Sequence, residues 1–129
     1  IRETRRILGV HYLTRDDVIQ GRKRPDAVVW SANFVIDIHN PIGPGQAEDF
    51  AREVKPYDIP YGCLVPREIE GLLVAGRCIS GSHDAFASYR VQCIAMAIGA
   101  AAGAAAGLAA IRGVKPRDLT IPHIQKALH

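Results

Sequence analysis

The sequence predicts an α+β fold, and three observations carry that expectation. Two short apolar runs, ILGVHYL and VVWSANFVIDI, frame a polar segment within residues 1–38; the continuous apolar run LLVAG stops at Gly76; and residues 91–111 form a 21-residue Ala- and Gly-rich stretch in which Gln92 is the one polar member. Apolar runs of about four to eight residues between turn signals read as strands, and a stretch as long as the last reads as a helix. At 129 residues, 48% of them hydrophobic, the chain has the size of one ordinary domain and can bury a core.

The elements follow in order. Within LTRDDVIQGRKRPD, Thr14 is placed to cap a short helix that carries Asp16 and Asp17 near its positive N-terminal end, so residues 1–38 read as strand, helical turn, strand. Residues 39–58 hold three of the eight prolines and no sustained apolar period, which predicts a surface loop. IPYGCLV, between Pro60 and Pro66, reads as a strand, REIEG as a turn, and LLVAG as a buried strand of the kind common in parallel sheets. Gly76 allows a positive φ or a close backbone approach where that strand leaves its sheet. Ser80, Gly81, Ser82 and Asp84 then supply small residues and caps, and the regular helix is expected from about Ser88.

The long apolar stretch has the length of a membrane span, with Arg90 and Arg112 at its flanks and a double GxxxG in Gly99, Gly103 and Gly107. Ten of its residues are Ala, however, so its transfer energy rests on Val91, Ile94, Met96, Ile98, Leu108 and Ile111, which is thin for a lone span. A soluble helix enclosed on several sides, with a small-residue face for close approach, is the expectation. A membrane- or partner-binding helical module built on residues 91–111 is the alternative. Gly113 stands where a C-terminal cap belongs, with Pro116 beyond it. In LTIPHIQKAL, Thr120 as cap, Pro122 in the first turn and Ile121, Ile124 and Leu128 on one face predict a short docking helix.

Net charge is +3, with Arg2, Arg5, Arg6, Arg15, Arg22, Lys23 and Arg24 crowded into the first quarter. Interleaved Glu3, Asp16, Asp17 and Asp26, and the scarcity of aromatic residues, argue against a nucleic-acid groove; a solvated face, or contacts to other parts of a longer protein, fits better. The opening IRETRR, without Met, is expected to continue a longer chain. Cys63, Cys78 and Cys93 are odd in number and form no CxxC, which speaks against a metal centre or a disulfide framework. Three buried, reduced thiols in a cytoplasmic protein are expected.

A strand, a glycine-bearing turn and a helix start, taken together, present unpaired N–H groups and a positive dipole end, which suits a pyrophosphate or the electron-rich edge of a cofactor ring. Many α/β crossovers share that pattern without a ligand. The ordered series IPYGCLVPREIEGLLVAGRCISGSHDAFASYRVQCIAMAIGAAAGAAAGLAA is more specific. It resembles the C-terminal part of the FAD-dependent oxidoreductase family, in which an IPYR-L-P strand precedes NLLVAGR-IS, then H-A--S-R and a MA-G-AAG-AA helix. RETRRILGVHYLTRDDV and VIDIH are similar to segments upstream in that family. The chain departs at Gly62, where the family often has Arg, and at Gly71, where Asn is common.

The resemblance implies strands of a substrate domain followed by the final strand and long Ala/Gly-rich helix of a Rossmann-like FAD domain. Residues 1–58 would belong to the substrate or cap part and residues 59–129 to the FAD-binding part. LLVAGR is similar to the second flavin-contact motif of flavoproteins with two dinucleotide-binding domains. Gly76 would form its turn, and Arg77 stands where an Asp usually reaches the ribityl chain, as a cation for phosphate or ribityl oxygens or simply a partner for a carboxylate. Ser80 and Gly81 would lie along the ribityl and pyrophosphate arm. Ser88, Arg90, Val91 and Gln92 would bring backbone donors to the pyrimidine edge of the ring, where charge accumulates on reduction; Arg90 could equally be a helix-start charge tied to a neighbouring loop. His83 is the candidate for proton transfer, His39 a lesser one, and either could be structural.

The GxGxxG fingerprint that holds the ADP half of FAD appears nowhere in the 129 residues. The expectation is therefore a C-terminal fragment that supplies one wall of a flavin site, with FAD held in the full-length parent and a small organic molecule as substrate. Its partners would be the N-terminal half of the FAD domain and, through surface that half leaves exposed, a second copy of the chain. A flavoprotein-type tRNA modification factor is a further alternative, distinguished by salt-dependent RNA binding at the basic N-terminal quarter.

Overall fold

The computed structural model describes residues 5–38 and 54–129. Most of the loop expected over residues 39–58, and His39, lie outside the described residues.

Helix α1 (Arg15–Gln20) starts as its sequence dictates. The Thr14 side chain accepts from the Asp17 N–H, while the Asp17 carboxylate accepts from the Thr14 N–H and hydroxyl, a reciprocal capping box. Gly21, at φ +65°, ends it. Two antiparallel strands follow, β1 (Ala27–Ala32) and β2 (Tyr57–Pro60). The irregular register between Val29 and Ala32 coincides with Ser31, which takes φ +54° and donates its N–H to the buried carboxylate of Asp58.

The first apolar run is extended but forms no regular strand. Ile7 N–H donates to Cys78 O, Val10 to Val65 O, His11 to Gly62 O and Leu13 to Ser80 O, so residues 7–13 thread between two segments far along the chain. The threading is close. A Cβ at Gly9 would stand 2.7 Å from Gly62 O and 2.8 Å from the Ser80 Cβ, and one at Gly62 would stand 2.9 Å from the Cβ of His11. Two expectations are corrected here. The IPYGCLV strand ends at Pro60 and turns into a 3-10 turn over Tyr61–Cys63, and LLVAG is not a regular strand. A strand needs a ladder, and the hydrogen bond that ties LLVAG to its neighbour runs from Val74 N–H to Leu64 O.

Gly76–Cys78 form a second 3-10 turn, and helix α2 (His83–Tyr89) begins with Ser82 accepting from the Ala85 N–H. The helix expected from about Ser88 is thus two helices. The chain breaks at Val91, which is extended at φ −68° and ψ 151°, and α3 (Gln92–Arg112) starts anew to end at Gly113 in the left-handed region. A final 3-10 turn, Pro116–Asp118, leads to α4 (Ile121–Leu128). Its Ile124 is fully buried, and Gln125 ties it to β1 through Pro25 O and Ala27 O. Thr120 takes the cap position, but its hydroxyl meets His123 Nδ1 instead of a backbone N–H.

Helix α3 packs against α4, β1 and the turns at Gly76 and Pro116. Ile94, Ile98, Ala101, Ala102, Ala105 and Ala109 are buried there. By length and composition it could cross a membrane, yet this apolar face is committed to the protein's own core. The expected enclosure on several sides does not hold. Positions for a Cβ at Gly99, Gly103 and Gly107 meet nothing within 4 Å, and Met96 and Ile111 are exposed. The core joins residues from both halves of the chain, with Leu13, Val18, Tyr57, Ile59, Leu64, Ile79, Phe86, Tyr89 and Ile98 in one cluster.

Candidate functional site

The Gly76–Cys78 turn packs on α3. Gly76 has φ +67°, a conformation that a side chain resists, and nothing stands within 4 Å of the position its Cβ would take. Space above the backbone is therefore open. Arg77 follows, exposed. At the head of α3, Val91 is the cap residue and no side chain caps the helix, so the first-turn N–H groups, beginning with exposed Gln92, face outward with the positive end of the dipole.

The other predicted contacts have employment inside the fold. Ser80 is fully buried, and its Oγ has no hydrogen-bond partner among the described residues. Gly81 is required by the protein itself, since a Cβ there would lie 3.0 Å from Cε1 of Tyr89. Ser88 Oγ donates to Phe34 O at 2.6 Å and meets Tyr57 Oη at 2.9 Å. The Ser88 N–H lies beyond the first turn of α2, where helical pairing consumes it. Arg90 uses its backbone N–H on Phe86 O, and its Nη2 lies 2.9 Å from both the carbonyl and the carboxylate of Asp37. The alternative of a charge tied to a neighbouring loop describes this arginine. His83 is exposed at the first position of α2. The candidates thus divide: Gly76, Arg77, Val91 and Gln92 reach the surface, whereas Ser80, Gly81 and Ser88 are buried and Arg90 is tied to Asp37.

An aromatic pair packs beside the buried residues of this group. Tyr89 meets Phe86 edge-on, with ring centroids 5.7 Å apart, and donates to Ile79 O. Burial raises the pKa of its phenol above the usual 10.0, so it stays neutral. Arg6 holds its Cζ 5.2 Å from the Phe86 ring centroid and donates Nε–H to Gly81 O at 2.9 Å. No local pattern signals this arginine's place; the basic opening segment reads as a solvated face until the fold brings residue 6 to residue 81. Among the described residues no group of three His, Cys, Asp or Glu is disposed to hold a metal. The thiols differ from expectation: Cys63 is buried, but Cys78 is partly exposed and Cys93 exposed, because residue 93 lies in the open first turn of α3.

The open backbone at Gly76, the exposed Arg77 and the uncapped head of α3 are groups suited in kind to a flavin's ribityl and phosphate arm. That arm does not fit the buried hydroxyls of Ser80 and Ser88 as direct ligands. No curated protein and no solved structure matches the chain. The family described as FAD dependent oxidoreductase matches it over residues 1–128, nearly its whole length. With that match spanning the strands, the glycine turn and the long helix alike, the chain belongs to the FAD dependent oxidoreductase family.

Proposed function

We propose that this chain forms one wall of the flavin site in an FAD-dependent oxidoreductase that acts on a small organic substrate. The observations that carry the reading are the open left-handed turn at Gly76, which packs on α3, and the uncapped head of that helix. A phosphate or ribityl oxygen can approach the main chain there more closely than beside any other residue type, and the helix end favours negative charge. Arg77 would supply a mobile cation for phosphate, and Val91 and Gln92 the donors for the ring's polar edge. Ser88, Arg90 and Gly81 act from behind, by fixing where α2 ends and α3 begins.

Bound FAD would supply the electron chemistry, and the residues of this chain hold and orient it and keep water from one face. The ADP half requires a glycine fingerprint that these 129 residues do not contain. His83, at the exposed start of α2, is the residue for which a proton-transfer role would be tested first.

The test is a titration of the flavin-binding protein with FAD, read by quenching of flavin fluorescence. Arg77→Gln should weaken binding by about tenfold, the scale of one lost charge-assisted contact, while circular dichroism stays unchanged. Equal affinity of Arg77→Gln and the parent sequence, together with an undiminished affinity for Gly76→Ala, would remove Gly76 and Arg77 from the flavin site.

A further inference from the structure

The extended segment 7–13 is held from both sides. Ile7 and Leu13 donate their N–H groups to Cys78 O and Ser80 O, Val10 and His11 donate to Val65 O and Gly62 O, and Leu13 O accepts from the Ser82 N–H. At His11 the fit leaves no slack, because a Cβ on Gly62 would stand 2.9 Å from the His11 Cβ and 3.1 Å from its N. The far nitrogen of the His11 ring, Nε2, is buried and has no hydrogen-bond partner among the described residues, and the same holds for Nε of Arg24. The charges around the ring come from three places: Asp17 on α1, Arg22 and Arg24 in the loop after it, and Asp26 just ahead of β1. The Asp17 carboxylate is already engaged by those two arginines, at 3.0 and 3.1 Å, and by the N–H and hydroxyl of Thr14. The 3-10 turn at Gly62 adds no charge, since burial pushes both Tyr61 and Cys63 up to about 12 and keeps them neutral.

We propose that His11 is an acid-sensitive latch: its neutral ring fits the slot beside Gly62, and protonation releases segment 7–13 and so loosens residues 78–82, which that segment holds ahead of α2. An imidazolium carries a donor on both nitrogens, so Nε2 would become a charged N–H without an acceptor, in the field of an Arg24 guanidinium whose own Nε lacks one. Burial first, and then Arg24, hold the ring below its usual 6.5, while Asp17 and Asp26 pull the other way without reversing the shift. Above about pH 6.5 the ring is neutral whether the latch is closed or open, and the latch is fully stable. As pH falls below that value the open state takes up a proton that the closed state refuses, and closure weakens until pH reaches the lowered value of the closed state. One proton gained on opening raises the open fraction by at most about tenfold for each pH unit in that window. Helix α4 is held separately, by α3 and β1, and stays closed.

Hydrogen exchange of backbone amides in the full chain, corrected for the intrinsic pH dependence of exchange, tests the latch. Over the pH unit below about 6.5, protection at Ile7, Val10, His11, Leu13 and Ser82 is expected to fall several-fold, toward the tenfold limit of one proton, while the Ile124 amide of α4 keeps its protection. His11→Gln, which cannot be protonated in this range, should abolish the fall. Protection in segment 7–13 that ignores pH overturns the latch. So does a fall that survives in His11→Gln, which assigns the proton to another group, or an equal fall at Ile124, which is unfolding of the whole chain. If His11→Gln does not fold, an NMR titration of the His11 ring in the parent sequence decides: a midpoint below 6.5 supports the latch, and one at or above 6.5 overturns it.

Discussion

Arg90 and Asp37, 53 positions apart in the chain, meet through one nitrogen: Nη2 of the arginine lies 2.9 Å from the aspartate's Oδ2 and 2.9 Å from its carbonyl oxygen. Both side chains are largely covered, at 15% and 21% exposed. The bond ties the segment after β1 to the hinge where α2 gives way to α3. Arg90→Ala removes both bonds to Asp37, and a loss of about 1–3 kcal/mol is expected in urea unfolding. The same loss with and without FAD would mark the arginine as a positioning residue; an additional loss confined to the FAD-loaded protein would mark direct contact.

Two glycines separate internal packing from ligand approach. Gly9→Ala forces a Cβ to within 2.7 Å of Gly62 O and 2.8 Å of Ser80 Cβ, in backbone that cannot yield, so more than about 2 kcal/mol of stability should vanish. At Gly76 the new methyl group meets nothing, and the cost is the left-handed conformation alone, about 1–2 kcal/mol. If FAD approaches that backbone, Gly76→Ala should lower FAD affinity far more than it lowers stability. Gly76→Asn, which tolerates a positive φ, should recover the stability and not the affinity. Parallel thermal melts and FAD titrations of the three variants decide it.

What the sequence revealed was what neighbouring residues decide among themselves. Thr14 with Asp17 fixes the start of α1, Gly113 the end of α3, and Pro122 with Ile121, Ile124 and Leu128 the docking of α4. LLVAG misled because an apolar run states that a segment is buried and not that a ladder exists for it, and Val74 is what tethers it. The break at Val91 was hidden for a similar reason: the residues on both sides suit a helix, and the bond from Arg90 to distant Asp37 helps to fix where the first one stops. In the candidate site, the glycine turn at Gly76 was legible from local pattern, whereas the long helix was expected from about Ser88 and α3 starts at Gln92. The burial of Ser88 between Phe34 and Tyr57 was not legible, since both partners come from segments with no sequence relation to α2.

The three thiols should differ sharply in reactivity. Cys93 is exposed in the first turn of α3, whereas Cys63 is fully buried and burial pushes its pKa up to about 12. An aromatic disulfide reagent should modify Cys93 at once, Cys78 more slowly, and Cys63 only as the protein unfolds. A burst equivalent to all three thiols in native buffer would contradict the packing around Leu13 and Leu64.

The buried phenols set an alkaline limit on the fold. Tyr57 is fully buried; desolvation moves its pKa from 10.0 up to about 12, and burial alone moves Tyr61 by a similar amount. Since the folded pKa exceeds the unfolded one, the stabilisation is complete below about pH 10, declines as pH rises toward 12, and is gone above it. Each such group steepens the fall by about 1.4 kcal/mol per pH unit within that window. Ser88 Oγ donates to Phe34 O, so the phenol of Tyr57 is the donor to Ser88 and an ionised phenolate would lose that role. Tyr57→Phe should therefore cost about 1 kcal/mol at neutral pH, where one net hydrogen bond disappears, and should make urea unfolding less sensitive to pH through the alkaline window. Ser88→Ala should cost more at neutral pH, because it leaves the buried Tyr57 Oη and the part-buried Phe34 O without their partner, and should keep the full alkaline slope. Identical pH profiles for the parent sequence and Tyr57→Phe would show that this phenol is not held neutral by the core, and the packing of α2 against β2 would need to be redrawn.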